Sequence, residues 1–208
     1  MKSFDANYNT NVQPSLLIVT YNVEDAGRPT RLYFYHAGIL GDKDPSVLGV
    51  DMFDKVEIDG TEVSVASLDS NSGKYQLSSG EHTIAYTLKD PTFIGVEYDE
   101  QTGMPTKIGA TFIGCCGITS VIIPDSVTSI GSDAFYNCSN LTSVTIPNGV
   151  TSIGRYVFRY CTNLASVTIP DSVTSIGEYT FDGCIFASIT IPGNVAYVGS
   201  GAFMNYKN

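Results

Sequence analysis

An Ile-Pro pair recurs at Ile123-Pro124, Ile146-Pro147, Ile169-Pro170 and Ile191-Pro192, at intervals of 23, 23 and 22 residues. Seven residues after each isoleucine stands a second landmark, at Ile130-Gly131, Ile153-Gly154, Ile176-Gly177 and Val198-Gly199. A phenylalanine closes each unit, at Phe112, Phe135, Phe158, Phe181 and Phe203. Self-similarity at a fixed period of this size marks stacked repeats, in which each unit buries its apolar side chains only against its neighbours. The 208-residue chain is therefore expected to be a solenoid over this region.

Within "LTSVTIP" (141–147), Val144 and Ile146 alternate with Ser143 and Thr145, the period-2 signature of a strand with one buried face. Residues 120–123, 166–169 and 188–191 read the same way, so one short parallel strand is expected per unit. Pro124, Pro147, Pro170 and Pro192 end these strands, because proline has no N–H to continue a ladder. The glycines mark a second bend, where a missing side chain permits close stacking or positive φ. "DAFYNCSN" (133–140) is expected to form a single helical or 3₁₀ turn, with its Phe and Cys facing inward. Cys115, Cys138, Cys161 and Cys184 fall 23 residues apart. Strands about 4.8 Å apart would bring neighbouring cysteines within reach of a disulfide. Yet that interval is the repeat itself, and Tyr206 takes the cysteine's place in the last unit, so they read as a structural ladder of small buried hydrophobes. Cys116 is an extra beside Cys115, and the five cysteines fit no zinc signature.

The pattern Leu-x-x-Val-x-Ile-Pro-x-x-Val-x-x-Ile-Gly-x-x-x-Phe-x-x-Cys resembles the BspA-type leucine-rich repeat over residues 106–208, with "TKIGATFIGCC" (106–116) as a leading half unit and about 4.5 repeats in all. The period of 22–23 residues lies within the roughly 20–29 of leucine-rich solenoids. Members of that family are surface or secreted adhesion and interaction proteins, abundant in host-associated anaerobic bacteria and found in some protists. The resemblance implies a secreted or cell-surface location and a protein or glycan ligand, host-derived where the family's partners are matrix proteins or cells.

Residues 1–100 lack the repeat and read as β. "DKVEIDGTEVSV" (54–65) sets Val56 and Ile58 before, and Val63 and Val65 after, an Asp59-Gly60 turn, a hairpin signal. "GEHTIAYTLKD" (80–90) puts His82, Ile84, Tyr86 and Leu88 on one face. "SLLIVTYNV" (15–23) and "RLYFYH" (31–36) read as further strands around the turn "EDAGRPT". Six or so short strands without a helical period predict an immunoglobulin-like β-sandwich, giving a mainly β chain of two regions, 1–100 and 101–208. "VEYDEQTGMP" (96–105) is the expected junction, and "YQLSSGEHTIAYTLKDPTFIG" (75–95) resembles the segment preceding the repeats in some bacterial members of the family. One residue is missing just after it, since Ile108 to Phe112 is four steps where Ile130 to Phe135 is five.

A content of 43% apolar and only 15% charged residues excludes a disordered chain. The formal charge is −10, with 16 of the 21 acids and 8 of the 11 bases in residues 1–107, and no Lys/Arg cluster interrupts it. Such a surface repels phosphate backbones, which argues against nucleic acid. The first apolar run, Leu16–Val19, is far shorter than the roughly 20 residues a membrane span needs. The polar start "MKSFDANYNTNVQPS" lacks the apolar segment of a secretory signal, which implies another route or a leader already removed. Neither His36 nor His82 has a nucleophile or carboxylate at a catalytic spacing. "DSNSGKYQLSSGE" (69–81) begins like a calcium loop but has Gly73 fifth and Gly80 twelfth, where ligands are required. "GDKD" (41–44) reads as a solvated acidic loop, and no phosphate loop is present. No enzyme activity, metal or cofactor is expected.

Positions identical in every unit are explained by stacking, while those that differ are free to carry recognition. The differing positions follow the glycine, as Ser132-Asp133, Arg155-Tyr156, Glu178-Tyr179 and Ser200-Gly201, and flank the cysteine, as Tyr136-Asn137, Arg159-Tyr160, Asp182-Gly183 and Met204-Asn205. Tyr and Arg are enriched at binding hot spots, which selects Arg155, Tyr156, Arg159, Tyr160 and Tyr179 as candidate ligand contacts. The leading expectation is a non-catalytic binding or adhesion module. The alternative is a structural subunit of a bacterial or phage particle or fibre, self-associating end to end through an uncapped C-terminal repeat. A third, a sugar-binding sandwich, is weakened by the absence of Trp, although 13 Tyr remain.

Overall fold

The computed structural model describes residues 16–23, 30–31, 53–64, 74–75, 77–101, 105–186 and 189–205. In chain order the N-terminal strands are β1 (Leu16–Val23), β2 (Thr30–Arg31), β3 (Phe53–Ile58), β4 (Thr61–Val63), β5 (Lys74–Tyr75), β6 (Gly80–Leu88), β7 (Phe93–Ile94), β8 (Val96–Tyr98) and β9 (Pro105–Ile108). The repeats add β10 (Ile118–Ile122), β11 (Ser129–Ile130), β12 (Ser143–Thr145), β13 (Ser152–Ile153), β14 (Ser166–Thr168), β15 (Ser175–Ile176) and β16 (Tyr197–Val198). The described residues contain no helix. The chain is mainly β, and its C-terminal half is a β-solenoid.

Each of the first three units contributes two parallel strands where one was expected. β10, β12 and β14 pair through Ser120, Ser143 and Ser166, and the buried Val144 with exposed Ser143 and Thr145 keeps the alternation read from the sequence. A second ladder runs through β11, β13, β15 and β16, pairing Ser129, Ser152, Ser175 and Tyr197. Strands of two residues are too short to show a period, which is why pattern reading missed them. No strand corresponding to β14 follows in the next unit, where residues 187 and 188 lie outside the described ones.

Identical side chains lie above one another in columns. The rings of Phe112, Phe135, Phe158, Phe181 and Phe203 stack near-parallel, with centroids 5.5, 5.6, 5.5 and 5.4 Å apart. Beside them Cys115, Cys138, Cys161 and Cys184 are buried and unoxidised. The last three each donate their thiol to the carbonyl of the preceding unit's phenylalanine, at 3.1, 3.2 and 3.3 Å. The recurring glycines serve close approach, since a Cβ on Gly154 would lie 2.6 Å from the Ser132 nitrogen.

The segment expected as a single helical or 3₁₀ turn is two consecutive tight turns, each closed by a bond across three residues, Tyr136 N to Asp133 O and Cys138 N to Phe135 O. Asp133 and Asn137 both have positive φ, and so does the residue at each of these two places in the next three units. Two left-handed residues per unit prevent helical continuation. Phe135 and Cys138 still face inward, both fully buried.

At its N-terminal end the solenoid continues into the strands that precede it. β1 runs antiparallel to β10, with Val19 opposite Val121, and the sheet extends through β6, β3 and β4. Tyr86 of β6 meets Phe112 edge-on at 5.3 Å and Phe53 at 4.8 Å, closing the phenylalanine column. Buried side chains from Leu17 to Ala202 form one contiguous core, so the expected boundary near residue 100 does not coincide with a break in packing. The described strands extend the solenoid sheet edge to edge, and the residues that would supply the second layer of the expected immunoglobulin-like sandwich lie outside the described ones. The expected strand 31–36 and turn 24–30 lie almost wholly outside the described residues, and His36, 41–44 and 65–73 lie wholly outside them. The Asp59-Gly60 hairpin is present, with Val56 opposite Val63 and positive φ at both turn residues.

The register of the first coil differs from the sequence reading. The place of Thr128-Ser129-Ile130-Gly131 is taken one coil earlier by Thr92-Phe93-Ile94-Gly95, not by 106–109. Thr128 N donates to Thr92 O as Thr151 N does to Thr128 O, and Phe93 and Ile94 pair with Ser129 and Ile130. Residues 96–109 are thus an insertion, the antiparallel hairpin β8–β9, after which Phe112 resumes the column. The missing residue between Ile108 and Phe112 follows, since 106–109 never occupies a regular coil position.

Two outcomes test this packing. Phe158→Ala removes a ring stacked on both sides and fully buried, and should cost about 3–5 kcal/mol of unfolding free energy in a urea titration. The second concerns His82, whose Nδ1 donates to Asp59 at 2.7 Å and Nε2 to the Ser78 carbonyl at 3.0 Å. Burial alone would lower its pKa, but these acceptors outweigh it and raise the pKa above the ordinary 6.5. A raised folded-state pKa contributes stability that is complete below about pH 6.5 and is lost as pH climbs through the folded value. Urea midpoints should therefore fall across that window in the wild type, and His82→Gln should remove that part of the slope.

Candidate functional site

The variable positions of the second and third units converge on one edge of the solenoid. Successive units are in register, so a residue after the glycine faces its counterpart one unit on. Tyr156 stacks on Tyr179 at 5.7 Å, and Arg155 Nε lies 3.4 Å from Glu178. The guanidinium of Arg159 sits 5.2 Å from the ring centre of Tyr156, 4.5 Å from Tyr160 and 5.1 Å from Tyr179, within cation–π range of all three. Tyr136 meets Tyr160 edge-on at 5.8 Å. All five selected residues, Arg155, Tyr156, Arg159, Tyr160 and Tyr179, belong to this single cluster.

Their roles within it differ. Arg159 donates from Nε to Asp182 Oδ2 at 2.9 Å, and Asp182 is only 1% exposed. The other Asp182 oxygen accepts from Asn205 Nδ2, also at 2.9 Å. Removing Arg159 would leave a buried carboxylate without its cation, a loss of about 3–5 kcal/mol, so this arginine holds the units together as well as lining the surface. Arg155 is about half exposed, and its pair with Glu178 is a surface contact worth little.

Tyr156, Tyr160 and Tyr179 have φ of 60°, 62° and 53°. Equivalent positions elsewhere carry residues that tolerate this region: Asp133 and Gly201 in one column, Gly114, Asn137, Gly183 and Asn205 in the other. A bulky side chain there costs about 1–2 kcal/mol, so three tyrosines in that conformation are an outlier of the kind that collects at working sites.

The inserted hairpin completes the site. Tyr98 of β8, with Asp99 and Glu100 after it, faces Ser132, Asp133, Tyr136, Arg155, Tyr156 and Arg159 across a cavity of about 610 Å³. The Tyr98 hydroxyl donates to Asp133 Oδ2 at 3.2 Å. Burial raises the Asp133 pKa, against the hydroxyl and the charge of Arg155. The same burial, and then Asp133 itself, pushes the Tyr98 phenol well above its usual value. A shallower groove continues from Tyr98, Ser132 and Arg155 across Ser129, Ser152 and Ser175 to Tyr197. Sequence comparison of the units found the far wall of the cavity and placed Asp133 among the differing positions without selecting it, but missed Tyr98, Asp99 and Glu100. The signal was the missing residue after Ile108, which betrays the insertion.

The cysteine column takes no part. Burial raises Cys138 and Cys161 far above the usual thiol value and pushes Cys184 up to about 12, so these thiols stay protonated. Ser78, His82 and Asp59 supply the members of a nucleophilic triad, with Ser78 Oγ 3.3 Å from Nε2. The carbonyl 3.0 Å from that nitrogen holds a proton on it, and a ring that donates from both nitrogens cannot accept the seryl proton. Among the described residues no group of His, Cys, Asp and Glu could hold a metal ion.

A two-ladder parallel solenoid with phenylalanine and cysteine columns, closed at one end by antiparallel strands, defines a leucine-rich repeat protein. The BspA type leucine rich repeat region matches in six copies over residues 105–208, and the chain belongs to that family. Among solved structures it is similar to a leucine-rich repeat protein of Bacteroides ovatus, at 35% identity and a TM-score of 0.45, over 55% of this chain and 31% of that one. A leucine-rich repeat protein of T. pallidum matches at 32% identity and 0.44, over 54% and 52%. A leucine rich cell surface protein of Faecalibacterium prausnitzii matches at 30% and 0.31, over 55% and 44%. The chain thus spans from about a third to about half the length of these proteins. Comparison with curated proteins gives no match.

Strain and packing make opposite predictions for Tyr160. Asn137 and Asn205 occupy the same place, so Tyr160→Asn relieves a left-handed tyrosine while losing ring contacts of similar size, roughly 0.5–1 kcal/mol. The urea midpoint should shift little. A loss above about 2 kcal/mol would mean the ring is core packing.

Proposed function

We propose that the chain is a non-catalytic binding module of a secreted or cell-surface protein, engaging a partner protein through the tyrosine and arginine cluster beside the inserted hairpin. The observation that carries this reading is the concentration of three left-handed tyrosines around one guanidinium, next to a cavity. Family membership supports the location and the kind of partner. A glycan is the alternative ligand, for which the tyrosine rings supply stacking faces without Trp. No helix among the described residues is long and apolar enough to cross a membrane.

A second reading, a structural subunit of a bacterial or phage particle or fibre, has one observation in its favour. β16 is an edge strand with Tyr197 and Val198 exposed, and Ile191 and Met204 are exposed nearby, so another chain could stack there. Concentration-dependent sedimentation would support it over the first.

The test is surface plasmon resonance of the chain against a panel of extracellular matrix and serum proteins and a glycan array. At least one protein should bind, and Arg155→Gln with Tyr160→Asn should weaken it by about tenfold or more, equal to 1.4 kcal/mol, without changing the urea midpoint. Binding that ignores both substitutions, or a hydrolytic activity lost on a single substitution, overturns the proposal.

A further inference from the structure

We propose that the cavity between the β8–β9 hairpin and the first two repeats takes a basic side chain, lysine or arginine, presented by the partner protein. This deepens the reading above and rests on the partner being a protein. The charges that line the cavity do not cancel. Arg155 and Arg159 each arrive with a carboxylate from the next unit, Glu178 and Asp182. Asp133 has a neutral partner, the Tyr98 hydroxyl, and among the described residues it forms no ion pair. Asp99 and Glu100 stand on the same wall. Two cations that each meet a carboxylate, facing Glu100 and half-buried Asp133, leave the space negative, in a chain of formal charge −10 that attracts basic partners from a distance.

The shape suits the same guest. Tyr98 and Tyr136 line the same cavity as Asp133, so the aliphatic stem of lysine or arginine can lie against aromatic rings while its head reaches the carboxylate. An anion would have to displace Glu178 from Arg155 and sit against Asp133. A neutral sugar would leave the half-buried carboxylate without a counter-charge. The raised Asp133 pKa reflects partial burial that Tyr98 and Arg155 do not fully offset, and a cation placed on the carboxylate would oppose it further.

The experiment is a titration of the whole chain, followed by amide and tyrosine-ring chemical shifts, with capped glycine tripeptides carrying a central lysine, arginine, glutamine or glutamate, and with maltose. At roughly millimolar concentrations, where a single anchored side chain is expected to bind, the lysyl and arginyl peptides should shift Tyr98, Asp133 and Tyr136 saturably. The glutaminyl peptide should bind at least tenfold more weakly. Asp133→Asn should weaken lysyl binding at least tenfold while the protein stays folded, since Asn137 shows asparagine in the same left-handed conformation. Tyr136→Ser, which removes a half-buried ring of the lining, should weaken it several-fold. Preferential glutamyl binding lost in Arg155→Gln, saturable maltose binding indifferent to Asp133→Asn, or no response to any probe overturns the proposal. If a partner protein binds through Arg155 and Tyr160 while the lysyl peptide does not bind, this inference fails and the proposed function stands. The reverse result separates them the other way.

Discussion

Stacking in register is the constraint on which every other feature depends. A unit of 22–23 residues cannot bury Val, Ile, Leu and Phe alone, and it gains a core only when the next unit repeats the same path. Hydrogen bonds fix the path, because Thr151 N meets Thr128 O and Thr174 N meets Thr151 O at the same 2.9 Å. Glycines permit it, because no Cβ fits where one coil crosses the next. The phenylalanine rings then have no choice but to stack, and the thiols to bond the carbonyls beneath them. Any residue that interrupts this geometry must be accommodated elsewhere, and the interruptions are what distinguish this solenoid from a featureless one.

Much of the repeat region was legible because stacking writes the same letters every 23 residues. Buried Val144, Phe135 and Cys138, the proline strand ends and the close-packed glycines follow directly from period and chemistry. The second ladder was not legible, since two residues of strand carry no alternation. The tight turns were read as one helical or 3₁₀ turn because inward Phe and Cys spacing suits both, and the Asp, Asn and Gly that mark the left-handed places share their columns with tyrosines, which hides the signal. The first coil was assigned to residues 106–109 because both "TKIG" and "TFIG" fit the motif. Only three-dimensional pairing of Ile94 with Ile130 chooses between them. The N-terminal strands were read as a sandwich because alternation reveals a buried face but not what lies against it. Among the described residues, β6 meets the end of the solenoid through Tyr86 and Phe112.

The candidate site lies where two departures from regularity meet. One is the β8–β9 insertion, which lifts Tyr98 out of the coil and over the first unit. The other is the replacement of Asp, Asn or Gly by Tyr at the left-handed positions of the second and third units. Comparing units could expose the second departure, because it changes residue types at fixed places. It could not expose the first, whose residues have no counterpart to be compared with.

Register also limits how such a surface can vary. Arg155 faces Glu178, Arg159 faces Asp182, and Tyr156 faces Tyr179, each 23 residues on, so these three are paired through the same translation that builds the core. A new charge at one position is therefore met by whatever its neighbour one unit away carries. Replacing Asp182 would release Arg159 from its buried partner and from the geometry that sets it over three rings. Arg155 and Tyr160, exposed and weakly held, can change alone. The surface thus divides by burial into residues that can alter specificity singly and residues that must alter in pairs along the solenoid axis.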